Sequence, residues 1–172
     1  INNLNDVKKV SRETITGIFK TITDNRGTVY ETSDYILGIF ASPVTKTFNN
    51  EMIAVKTANS INDILTKHNK IMRQKIDYGI SLNSGDLVVS KEADSLKFTS
   101  IGNTINLAKR VADLSNKEVL LSENAQNKLA TSIKSDKEIR QGISVYTIKS
   151  IMDREQHSDF IQGFLDRQKA GK

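Results

Sequence analysis

Apolar residues recur at helical spacing from the start of the chain, at Val7, Val10, Ile18 and Ile22 with Thr14 between them. That period predicts a helix of about four turns, and Asp24-Asn-Arg-Gly27 supplies its stop. Thr28-Val-Tyr-Glu31 and Tyr35-Ile-Leu-Gly-Ile-Phe40 are β-branched and aromatic, so with Thr32-Ser-Asp34 between them they predict a hairpin tipped by Asp34. Pro43, the only proline, closes that unit. Asn49-Asn50 then predicts the cap of a long helix, whose apolar stripe is Met52, Val55, Ala58, Ile61, Leu65 and Ile71.

The period next changes to two. Ile76, Tyr78, Ile80 and Leu82 alternate with Asp77, Gly79 and Ser81, and Asn83-Ser-Gly-Asp86 turns this strand into a partner at Leu87-Val-Val89. The polar stretch from Ser90 to Ser95 predicts a loop before a strand from Leu96 to Ser100. A helix from Thr104, a short strand at Val119-Leu-Leu121, a helix capped by Ser122 and a last strand from Ile143 to Ile148 complete the pattern. Beyond Asp153, Phe160, Phe164 and Leu165 stand among charges and predict a small amphipathic helix. Helices mixed with hairpins give an α+β or α/β class, a sheet with helices packed on it. The organisation is a domain over residues 1–150 followed by a charged amphipathic tail over 151–172.

Composition narrows the picture. The 172 residues are 37% hydrophobic and 26% charged, in keeping with one globular domain. Net charge is +5 and the pI about 9.3, which suits an anionic partner such as a nucleotide, a nucleic acid or an acidic membrane surface. Part of the excess is local, in Lys56, Lys67, Lys70, Arg73 and Lys75, where a solvated basic helix face accounts for it. The absence of cysteine excludes disulfides, thiolate metal sites and cysteine nucleophiles and fits a cytoplasmic domain. No apolar run approaches the roughly 18 residues that span a bilayer. The chain begins with Ile1, so a preceding segment is expected to be able to carry an anchor or sensor.

Among chemistry-bearing patterns, no phosphate loop, dinucleotide fingerprint, serine elbow or H-E-x-x-H is present. His68 and His157 lack metal-ligand spacing and read as surface or packing residues. Asn106 and Arg110 lie four apart on the polar side of the helix from Thr104, so an amide and a guanidinium can address one target together. A guanidinium fork suits phosphoryl oxygens, and an amide suits a ribose or a water. A solvated face gives the same pattern. Asp34 at a hairpin tip suits Mg²⁺ beside a polyphosphate, while aspartate is also an ordinary turn residue.

Two segments stand out: Gly79-Ile-Ser-Leu-Asn-Ser-Gly85-Asp-Leu-Val-Val89, and Phe98-Thr-Ser-Ile-Gly-Asn-Thr-Ile-Asn-Leu-Ala-Lys-Arg110. Together with the Asp34 hairpin, they make the chain from about Leu4 to Ile148 closely resemble the class III nucleotidyl cyclases, the catalytic domain of adenylate and guanylate cyclases. The resemblance implies a ferredoxin-like core, a largely antiparallel sheet with helices on one face. It also implies formation of a 3′,5′-cyclic nucleotide and pyrophosphate from a nucleoside triphosphate in signal transduction. Asp34 matches the second of two aspartates that hold two divalent ions, Mg²⁺ or Mn²⁺. Asn106 matches the asparagine that orients the ribose, and Arg110 the arginine that stabilises charge on the α-phosphate. Active sites between two subunits make a homodimer the expected partner.

The sequence departs from this pattern at named places. The first strand and its metal aspartate, expected before the opening helix, are missing, so the chain is expected to be either truncated or inactive. Ser33 replaces the glycine before the second aspartate, and Ser90 the last glycine of the Gly79 segment. Tyr30 stands where a lysine or glutamate reads the base, Thr99 holds the second base-reading position, and Arg140 is a candidate for the triphosphate. Tyr30 suits stacking on a base, or packing. The alternatives are a degenerate cyclase-homology domain that dimerises or senses a nucleotide and, more remotely, a basic nucleic-acid-binding domain. Sparse aromatics and the lack of an RNP-like motif disfavour the last.

Overall fold

The computed structural model describes Ile1 and residues 4–92, 95–100 and 103–152. The expected tail helix and His157, and the Ile101-Gly102 turn, lie outside the described residues. The chain forms an α+β fold of six helices and eight strands among those residues.

The opening helical period is split. Helix α1 (Leu4–Val10) ends before Ser11 and α2 (Arg12–Asp24) begins after it, with Ser11 at a non-helical φ of −132°. Ile15, Ile18 and Ile22 of α2 are buried with Leu4 and Val7. The hairpin is as expected: β1 (Thr28–Glu31) pairs antiparallel with β2 (Ile36–Ile39), and Asp34 lies in the connecting turn. Pro43 stands in the first turn of a short helix α3 (Ser42–Thr45), where its missing amide costs nothing.

Helix α4 (Asn50–Ile71) follows, with Asn49 at its N-cap position but without a side-chain cap. Met52, Val55, Ala58 and Leu65 are buried as the stripe requires, whereas Ile71 is 67% exposed at the helix end. His68 completes the buried face. Its Nε2 donates to the Gln74 carbonyl at 3.0 Å, and its Nδ1 shares a hydrogen bond of 2.9 Å with the Thr14 hydroxyl. This ties α2 to the end of α4.

The pairing of the next strands corrects the sequence-based expectation. Only Ile80–Leu82 forms a strand, β3, and it pairs with β6 (Val119–Ser122) in parallel rather than with the residues after the turn. Strand β4 (Leu87–Glu92) instead pairs with β5 (Ser95–Ser100), so the expected polar loop contributes to a long hairpin. Helix α5 (Thr104–Asp113) and helix α6 (Glu123–Leu129) are as expected, and the Ser122 hydroxyl caps α6 by accepting the Ala125 amide at 3.2 Å. A strand not foreseen, β7 (Ile133–Arg140), pairs with β8 (Ile143–Ile151).

The main sheet has the order β3-β6-β8-β7, with β1-β2 and β4-β5 as separate ribbons. Consecutive residues of β6 point to opposite faces. Leu121 packs with Met52 and Val55 of α4 and Ala125 of α6, whereas Leu120 packs with Val111 of α5. Helices therefore cover both faces at β6, with α5 opposite α4, in place of the one-sided arrangement expected. No strand precedes α1 among the described residues. Between β2 and β3, where the two sheets end, lies a cavity of about 870 Å³.

Candidate functional site

The Gly79 segment acts as a rail on which α5 lies. Gly79 approaches the helix so closely that an added Cβ would stand 2.0 Å from the Ala112 carbonyl oxygen. Two residues on, the Ser81 hydroxyl donates to the Ala108 carbonyl at 2.6 Å. Two further, the Asn83 amide donates to the Thr104 carbonyl at 2.8 Å, and its oxygen accepts from Ser122 at 2.6 Å. A Cβ on Gly85 would meet the Thr104 hydroxyl at 2.5 Å. Alternate residues of an extended segment point the same way, and helix residues four apart share a face. The rail positions 79, 81 and 83 thus match 112, 108 and 104 along α5.

This docking decides where the polar residues of α5 go. Val111 is fully buried, and Leu107 and Leu114 pack beside it. Ile105, Ala108 and Ala112 line the cavity, together with Lys109 and Asp113. Asn106 and Arg110 are both exposed and do not line the cavity, so the helix presents them elsewhere, one turn apart.

Asp34 is exposed at one mouth of the cavity, near Asp77 and Asp113. The amino group of Ile1 lies 3.4 Å from the Asp34 carbonyl oxygen. Lys109 lies 5.3 Å from the centre of the Tyr35 ring at the same mouth. Among the described residues no three acidic, histidine or cysteine side chains are arranged to hold a metal ion. The donors among the described residues therefore do not form a two-ion site by themselves.

Tyr30, on β1, uses its hydroxyl on the neighbouring hairpin: it accepts from the Phe98 amide at 3.2 Å and donates to the Leu96 carbonyl at 3.4 Å. Thr99 is exposed on β5, opposite Val88. Tyr30 and Thr99 are thereby brought to one region, where the β1-β2 ribbon meets the β4-β5 ribbon. Arg140 is elsewhere. At the end of β7 it donates to Glu118 at 2.6 Å, to the Leu114 carbonyl at 3.1 Å and to Glu138 at 2.8 Å. These hydrogen bonds, that to Glu118 foremost, hold its pKa above the ordinary range. It clamps the connection between α5 and β6, and its guanidinium is engaged by two carboxylates. Asp34 lines the cavity between β2 and β3, and the Asn106/Arg110 pair does not.

The rail residues Ser81 and Asn83 and the close approach of Gly79 were not among the residues singled out for roles. Their signal was present as polar and small residues at alternate positions, 79, 81, 83 and 85.

Comparison with solved structures places this fold among cyclase domains. The guanylyl cyclase domain of the RhoGC fusion protein from the aquatic fungus Blastocladiella emersonii, in a non-canonical dimeric form, superposes with a TM-score of 0.66 at 18% identity, over 81% of this chain and 79% of that one. The guanylate cyclase domain of RhGC from Catenaria anguillulae, in complex with GTP, gives a TM-score of 0.62 at 18% identity, over 81% of each chain. The adenylyl cyclase CyaB from P. aeruginosa gives 0.58 at 14% identity, over 85% and 83%. At these identities the likeness is one of fold. No protein-family model and no curated protein sequence matches the chain.

Proposed function

We propose that this is a nucleotidyl cyclase-type domain, which forms a 3′,5′-cyclic nucleotide and pyrophosphate from a nucleoside triphosphate in signal transduction. The observation that carries the reading is the docking of α5 on the Gly79 rail, which leaves Asn106 and Arg110 exposed and outside the cavity that Asp34 lines. In this reading a second copy supplies the other half of the site. The working unit is then a homodimer, with Asp34 of one protomer facing Asn106 and Arg110 of its partner. The fold shared with a GTP-bound guanylate cyclase domain supports the nucleotide part of this reading.

In this assembly Asn106 orients the ribose so that its 3′-oxygen stands in line with the α-phosphorus. Arg110 meets the charge that grows on the α-phosphate oxygens, and its fixed fork acts without reorganisation. Asp34 is the carboxylate assigned to divalent metal. The net charge of +5 draws a polyanionic substrate toward the protein. Among the described residues no helix is long and apolar enough to cross a membrane; the proposed setting is the cytoplasm.

The test is complementation. Asp34→Ala and Arg110→Ala are expected to be inactive alone, and an equal mixture to regain about a quarter of wild-type turnover through heterodimers with one intact site. A mixture as inactive as its components would overturn the composite site. A second reading, a degenerate domain that only dimerises or senses a nucleotide, is favoured by the engagement of the Tyr30 hydroxyl and of Arg140. It predicts nucleotide binding without turnover.

A further inference from the structure

Helix α4 ends in a turn that stands clear of the body. From 64 to 76 the chain carries Lys67, Lys70, Arg73 and Lys75 and no carboxylate, and residues 70–75 are exposed without a break. Among them are two apolar side chains, Ile71 at 67% and Met72 at 49% exposure. Asp63 lies about two turns back along the helix from Ile71, and Asp77 belongs to the cavity mouth beyond the buried Ile76. The start of α2, which His68 ties to this end of α4, adds Arg12 and Glu13, whose charges offset each other. No ion pair among the described residues takes up Lys67, Lys70 or Arg73.

Hydrogen bonds hold the turn in this shape. The Met72 amide donates to the His68 carbonyl at 2.8 Å, and the Lys75 ammonium donates to the carbonyls of Asn69 and Met72 at 2.5 and 2.8 Å. Asn69 pairs with the main chain of Ile76 in both directions, at 2.8 and 2.7 Å, and His68 donates to the Gln74 carbonyl at 3.0 Å. These bonds satisfy carbonyls that a helix end leaves open. They also fix the backbone on either side of Ile71 and Met72, while the neighbouring Leu65 and Ile76 are buried. A single exposed apolar residue is ordinary. An adjacent pair on a fixed turn, flanked by cations, has the composition of a membrane-surface anchor.

We propose that this turn is a docking point for an anionic lipid bilayer, with Ile71 and Met72 entering the headgroup region and Lys67, Lys70 and Arg73 meeting the lipid anions. Aliphatic side chains gain by leaving water for the acyl boundary, and the long stems of lysine and arginine keep their charges at the headgroups. Charge complementarity selects the anionic surface, where each cation strengthens binding about fivefold. A nucleic acid would match the cations but leave Ile71 and Met72 against phosphates, and no Phe, Tyr or Trp stands between 64 and 76 to stack on a base. A folded protein partner needs a larger apolar patch than two side chains on a projecting turn. Because the backbone is already fixed, docking orders little besides side chains. None of these residues lines the cavity that Asp34 lines.

The proposal is tested on the full chain by flotation with vesicles of phosphatidylcholine, alone or mixed equally with phosphatidylserine. The chain is expected to float with the mixed vesicles and not with phosphatidylcholine alone, and to be released as salt rises. Ile71→Ser with Met72→Ser leaves the charge unchanged and is expected to weaken binding about tenfold or more. Lys70→Gln with Arg73→Gln is expected to weaken it about 25-fold. Lys128→Gln with Lys134→Gln, an equal loss of charge at exposed positions elsewhere, is expected to change it less than about twofold. The chain has no tryptophan, so Met72→Trp places a single reporter in the turn, and its emission is expected to shift to the blue on the mixed vesicles. No flotation, flotation that the Ile71 and Met72 double variant keeps, an equal loss in the Lys128 and Lys134 variant, or an unchanged tryptophan spectrum would each overturn the proposal. Self-association without vesicles that the Ile71 and Met72 double variant loses would overturn it in favour of a second copy. Binding of an oligonucleotide that needs Lys70 and Arg73 but not Ile71 would overturn it in favour of a nucleic acid. None of these readouts involves nucleotide turnover, so they stand apart from the catalytic reading.

Discussion

The hydroxyl of Tyr30 accepts the main-chain amide of Phe98 at 3.2 Å, across 68 residues of sequence. Through this bond and the one to the Leu96 carbonyl, a side chain on β1 holds the inner strand of the β4-β5 hairpin. Tyr30→Phe keeps the ring and removes both bonds. It is expected to cost about 1–2 kcal/mol in urea unfolding and to speed exchange of the Phe98 amide. Unchanged stability would leave Tyr30 with a role toward ligand alone.

Gly79 admits no side chain. A Cβ there would lie 2.0 Å from the backbone oxygen of Ala112, which no rotamer change relieves. Gly79→Ala is expected to push α5 from its rail and cost about 2–3 kcal/mol, measured by thermal or urea unfolding. A variant as stable as the parent would contradict the docking described for α5.

Asn83 joins the start of α5 to β6 through Thr104 and Ser122. Asn83→Ala is expected to lose about 1–2 kcal/mol of stability and to raise amide exchange in the first turn of α5. Asn83→Asp keeps the acceptor for Ser122 but loses the donor to Thr104, so it is expected to restore the β6 side only. Identical exchange in all three proteins would contradict the positioning role.

Arg140 is bonded to Glu118, Glu138 and the Leu114 carbonyl. Its side chain is 26% exposed, so solvent screens part of the attraction. Arg140→Ala is expected to cost about 1 kcal/mol in unfolding and to leave nucleotide affinity unchanged by equilibrium binding. Loss of affinity with unchanged stability would return Arg140 to the triphosphate.

Local periodicity made most elements legible, and long-range pairing did not follow from it. Helices α4 and α5 carry continuous apolar stripes, and the Asp34 hairpin carries its own turn. Strand β7 left no such signal: of its eight residues only Ile133 is buried, and Ile139 is 73% exposed. The β4 arm of the second hairpin likewise exposes Val88, Val89 and Ser90 in succession, so the polar residues beyond it resembled a loop. The turn at Asn83 was legible, but the partner of β3 was not, because its parallel pairing with β6 requires the crossover through α5. The break at Ser11 fell within a period that continued across it. Of the candidate site, the spacing of Asn106 and Arg110 made their exposed positions one turn apart on α5 legible. The engagement of Tyr30 and Arg140 was not, since each depends on residues more than 20 positions away.

The central claim is that this domain makes cyclic nucleotides through Asn106 and Arg110. It is tested most directly by incubating the protein at high concentration with each of the four nucleoside triphosphates and Mn²⁺ and identifying products by mass spectrometry. The account predicts a 3′,5′-cyclic nucleotide and pyrophosphate from at least one substrate, reduced about 100-fold or more in Arg110→Ala at unchanged stability. No cyclic product from any of the four, or turnover that persists in Arg110→Ala, would contradict it.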